Sequence, residues 1–69
     1  MMLRVINLLN QETVWNDYTD AVPARGEEII ITHAEDGVRY DTPKRYLTER
    51  VVNYLAEELV EVFVVEIGE

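Results

Sequence analysis

The apolar positions of this chain fall into short blocks divided by clusters of turn formers, the punctuation of a β-rich fold rather than of long helices. From Leu3 to Leu9 an apolar run built on Val5, Ile6 and Leu8, broken by Arg4 and Asn7, predicts a first strand. Asn10-Gln11-Glu12 reads as a turn, Thr13-Val14-Trp15 as a second extended piece, and Asn16 to Asp20 as the start of a connection. Pro23, whose φ is preset and whose nitrogen cannot donate, then leads into a strand from Glu27 to His33 around the triplet Ile29-Ile30-Ile31. Gly26, just before it, suits a turn position with positive φ. Asp36-Gly37 predicts a tight turn of type I′, which needs positive φ at both central residues, and a return strand from Val38 to about Thr42. From Val60 to Ile67, Val60, Val62 and Val64 share one face and Phe63, Val65 and Ile67 the other. That doubly apolar pattern predicts a central strand buried on both sides.

The segment from Thr42 to Leu59 supports two readings. Thr42 as N-cap, Pro43 at the first helical position, and Leu47, Val51, Leu55 and Leu59 at every fourth residue favour a helix. Arg50-Val51-Val52-Asn53-Tyr54 favours a strand, with Ala56-Glu57-Glu58 as the turn into the last one. Intrinsic propensity leans to the helix.

Sixty-nine residues make a single domain, 1–69, because halves of this size could not bury a core. Cysteine is absent, so the 48% of hydrophobic residues must carry the fold without disulfides or thiolate metal sites. No run approaches the roughly 18 apolar residues of a membrane span, and Met1-Met2-Leu3-Arg4 lacks the pattern of a signal peptide. These features lead to the expectation of a cytoplasmic, soluble chain, complete from Met1. Fourteen acidic against six basic residues give a net charge of −8, which opposes binding to a phosphate backbone. The basic residues are unevenly placed: Arg39, Lys44, Arg45 and Arg50 lie close together, and only glutamates follow Arg50.

The order of these signals resembles small SH3-like barrel proteins of bacteria, often encoded by phages or prophages. Pro23, Arg25, Gly26 and Glu27, then Gly37 and Tyr40, then Arg45, then Val60, Val62, Val64 and Ile67 carry the resemblance. Ala24 between Pro23 and Arg25 departs from the pattern, as does Thr42-Pro43 where a strand would continue. Proline within a strand confines it to an edge or a bulge. The resemblance implies a mainly β fold, a small SH3-like partly open barrel of about five strands. The alternative is α+β, with a helix near 43–58 packed on an antiparallel sheet.

Catalysis finds little support. His33 is the one histidine, Ser and Cys are absent, and no nucleophile is set beside a base. Glu27-Glu28 and Glu57-Glu58 are adjacent pairs whose members point apart on a strand, so they do not chelate one ion. The three glycines form no phosphate loop. No enzyme activity, cofactor, metal or small-molecule substrate is expected. The expectation is a non-catalytic module that binds a protein, with a phage-encoded acidic inhibitor of a host protein as its narrower form. The alternative is a homo-oligomeric structural or assembly protein that pairs strand edges. SH3-like barrels commonly bind through exposed aromatics, which draws attention to Trp15, Tyr18, Tyr40, Tyr46 and Tyr54 and singles out Trp15, Tyr40 and Tyr46 here. Arg45 and Arg50 join them as a basic, aromatic island on an acidic chain, because arginine and tyrosine anchor interfaces.

Overall fold

The computed structural model describes residues 1–34 and 36–67, and its architecture is mainly β. Five strands form one sheet: β1 (Met2–Asn7), β2 (Thr13–Tyr18), β3 (Glu28–His33), β4 (Arg39–Tyr54) and β5 (Leu59–Glu66). A single 3₁₀ turn at Leu55–Glu57 separates the last two. The order across the sheet is β2-β1-β5-β4-β3. β1 runs parallel to β5, and every other neighbouring pair is antiparallel. The sheet curls into a half-barrel, consistent with a small SH3-like, partly open barrel.

The helix near 43–58 of the alternative α+β reading is not formed. β4 runs straight through that segment as a strand of 16 residues, paired to β3 on one side and β5 on the other. Ladder hydrogen bonds on two sides outweigh a helical preference of a few tenths of a kcal/mol per residue. The fourfold apolar spacing is coincidental: Val51 faces inward opposite Val62, while Leu55 lies 82% exposed in the 3₁₀ turn. Pro43 is accommodated by a bulge. Between the pairs Ile31↔Lys44 and His33↔Arg39, β4 advances five residues while β3 advances two. β5 pairing begins only at Tyr46, so no ladder asks Pro43 for an N–H.

Turns fix the register. Glu27 N–H donates to Ala24 C=O across a turn whose third residue, Gly26, has φ of 91°. Gly26 N–H then donates to Thr48 C=O, and Thr48 N–H to Glu27 C=O. This glycine bulge sets β3 against β4. At the other end of β3 the hairpin forms, but not through a type I′ turn. Gly37 has φ of 89°. Gly37 N–H donates to Ala34 C=O, and Ala34 N–H to Val38 C=O, a loop one residue longer than the two-residue turn expected. Glu35 within this turn, and the Gly68-Glu69 end, lie outside the described residues.

Leu3 and Val5 of β1, Val60, Val62 and Val64 of β5, Tyr46 of β4 and Ile31 of β3 are buried inside the curl. Burial of each such side chain stabilises by about 1.5–3 kcal/mol. The two faces of β5 are unequal, which corrects the expectation of burial on both. Val60, Val62 and Val64 are fully buried, whereas Phe63 and Val65 on the outer face are half-buried. An open sheet has nothing but its own neighbouring side chains to cover that outer face.

Candidate protein-binding surface

β2 and β3 are the two ends of the strand order, and each pairs on one side only. The seam between them holds a cavity of about 300 Å³, walled by Leu3, Val5, Trp15, Ile29, Ile31 and His33. Trp15 reaches it because β2 pairs with β1 at Val5↔Trp15, which turns the indole to the inner face beside the buried valine. Ile29 arrives in the same way, opposite Tyr46.

The backbone of β3 presents a second feature. Thr48 N–H bonds to Glu27 C=O, so the antiparallel alternation gives Ile29 and Ile31 to the β4 ladder. The N–H and C=O groups of Glu28 and Ile30 therefore point outward, up to the bulge that follows Ile31. Ile30 is 60% exposed. The corresponding edge of β2 carries Asp17, whose Oδ1 accepts a hydrogen bond from Tyr18 N–H at 2.7 Å. On β2 the charge of Asp17 occupies an edge N–H, whereas on β3 the charge of Glu28 is taken up by Arg45.

The residues singled out from the sequence do not share one surface. Tyr46 is 3% exposed and belongs to the core, which overturns its assignment as a surface anchor. Successive residues on a strand face opposite sides, so Arg45 beside it points outward while the tyrosine ring points in. Burial, then the Glu66 carboxylate, raises the Tyr46 phenol above its usual value. Arg45 is bound to Glu28 through Nε at 2.6 Å and through a second nitrogen at 3.0 Å. That pairing raises the guanidinium pKa and lowers the carboxylate's. Arg50 sits over the Phe63 ring, 5.7 Å from its centroid, on the outer face. Trp15 is half-buried in the seam, and Tyr40, half-buried at the far mouth of the half-barrel, lies under the Lys44 ammonium at 5.4 Å. The basic cluster is thus dispersed: Arg45 is paired, and Lys44 and Arg50 lie against different rings.

A polar hollow of about 510 Å³ at that far mouth is bordered by Glu12, Asp36, Tyr40, Lys44 and Glu66. Among the described residues no three His, Cys, Asp or Glu side chains gather as metal ligands. No helix of the described residues is long and apolar enough to cross a membrane. Comparison with family models, with curated proteins and with solved structures finds no match to this chain.

Sequence reasoning missed the β3 edge, and it missed that register aligns Tyr18 and Tyr54 with Met2 and Leu59 in a cross-strand row on the outer face. The triplet Ile29-Ile30-Ile31 was the available signal. Three β-branched residues in succession must place one on the face opposite the core, and no charge is set among them.

Proposed function

We propose that this chain is a non-catalytic protein-binding module that takes up an extended segment of a partner in the seam between β2 and β3. The observation that carries the reading is the pair of one-sided strand edges flanking an apolar cavity. An added strand would find main-chain groups of Glu28 and Ile30 to bond and a pocket for alternate side chains beside Trp15. The net charge of −8 favours a segment in which apolar residues alternate with Lys or Arg.

Panning a library of short unstructured peptides against the purified protein tests this. Enrichment of alternating apolar and basic sequences is expected, with binding that shifts Trp15 fluorescence and weakens as salt rises. Trp15→Ala should abolish that binding, and Arg50→Glu, on the opposite face, should leave it intact. No enrichment, or binding indifferent to Trp15→Ala, would remove the reading.

A further inference from the structure

At the far mouth of the half-barrel three inward-facing rows of side chains turn polar together. Leu3 and Val5 lead to Asn7 on β1, Val62 and Val64 to Glu66 on β5, and Thr48 and Tyr46 to Lys44 on β4. All four polar ends, with Tyr46 counted among them, line the hollow there. Two of them are deeply buried: Tyr46 is 3% exposed and Asn7 8%. The Asn7 Oδ1 accepts the Leu9 N–H at 2.9 Å, which leaves Nδ2 as a donor. Among the described residues neither that nitrogen nor the Tyr46 phenol has a hydrogen-bond partner, whereas the Tyr54 phenol donates to Glu61 at 2.8 Å. Phenylalanine at position 46 would bury the same ring, so the fold gains nothing from this hydroxyl.

We infer that this hollow binds a small cationic polyol, of the class of an amino sugar. Each group asks for a different part of such a ligand. Glu12, Asp36 and Glu66 border the hollow, and Lys44, over the Tyr40 ring, is the one cation among the described lining residues. That excess of carboxylates favours an ammonium on the ligand. The Asn7 amide needs an acceptor, which a ligand hydroxyl supplies and a bare alkylamine does not. The Tyr46 phenol both donates and accepts, so a hydroxyl suits it as well. At about 510 Å³ the hollow is within the size range of small-molecule sites and has room for a monosaccharide. It shares no lining residue with the apolar cavity of the seam, so the inference does not rest on the peptide reading.

The test is titration of the isotope-labelled full chain with glucosamine, N-acetylglucosamine and putrescine, followed by NMR. Glucosamine should give saturable shifts of the Asn7 side-chain amide and the Tyr46 ring. N-acetylglucosamine lacks the charge and putrescine lacks the hydroxyls, so each should bind at least about tenfold more weakly. Tyr46→Phe should weaken glucosamine binding by a similar factor while its melting temperature holds, because the hydroxyl has no partner within the chain. The wild-type shifts decide the matter independently should that variant fail to fold. Glucosamine without a saturable response at tens of millimolar would overturn the proposal. So would either analogue binding as tightly, shifts confined to residues away from Asn7 and Tyr46, or an affinity indifferent to Tyr46→Phe.

Discussion

Thr48→Val should stabilise this protein, and the reason is one oxygen atom. Thr48 is 1% exposed on the inner face of β4, opposite the fully buried Val64, and its Oγ1 has no hydrogen-bond partner. Its backbone is committed elsewhere, the N–H to Glu27 and the C=O to Gly26, so neither group can turn to serve the hydroxyl. A buried polar group without a partner costs about 1–3 kcal/mol, and valine has the same branched shape with a methyl in place of that oxygen. The substitution should recover about 1–2 kcal/mol, with strand propensity unaffected because both residues are β-branched. In a domain of this size that corresponds to a rise of roughly 4–15 °C in Tm. Urea denaturation followed by circular dichroism gives the free energy directly, and an unchanged m-value confirms that the denatured state has not moved. Thr48→Ala serves as a control and should destabilise, because it removes the methyl as well. If Thr48→Val destabilises the protein, the hydroxyl has a partner and the packing around the β4 bulge is wrong.

Three further outcomes follow from the same geometry. Gly37→Val should cost about 1–2 kcal/mol, wholly from backbone strain at positive φ, because a Cβ there would meet open space; unchanged thermal melting would contradict it. Val64→Asp should prevent folding, since a buried unpaired carboxylate costs several kcal/mol against a total of about 5, while Val65→Asp on the half-buried outer face should lower stability by only about 1. Equal damage from both, seen by circular dichroism, would mean that the outer face is covered. In alkaline titration the Tyr46 phenol should ionise later than its usual value of 10.0, because burial raises it. Unfolded chains ionise first, so the stability tied to this group is complete below that value and is lost as pH rises through the folded one. Tyrosinate absorbance from Tyr46 that appears well before unfolding would contradict its burial.

The blocks of apolar residues placed β1, β3 and β5 closely, because alternation of side chains and turn chemistry are both local properties. Gly26 and Gly37 do occupy positive φ, as their settings beside Glu27 and Asp36 suggest. What local pattern could not settle was β4. Its fourfold apolar spacing fits a helix, and only pairing with the strands on either side, β3 and β5, decides against it. The candidate surface failed for a related reason. Arg45 and Tyr46 are neighbours in sequence, yet period-two geometry sends them to opposite faces, and only the sheet order reveals which face is inside. The same order makes β2 and β3 edges, a fact that no stretch of the chain contains by itself.

Amide hydrogen exchange of the dilute, uncomplexed protein tests the edge most directly. The N–H groups of Ile29 and Ile31 bond to β4 and should exchange slowly, while those of Glu28 and Ile30 should exchange fast, an alternation of period two along a single strand. On addition of a bound strand the fast set should become slow. If Glu28 and Ile30 are already protected in the dilute monomer, the seam is closed within the chain itself, and β3 offers no edge to any partner.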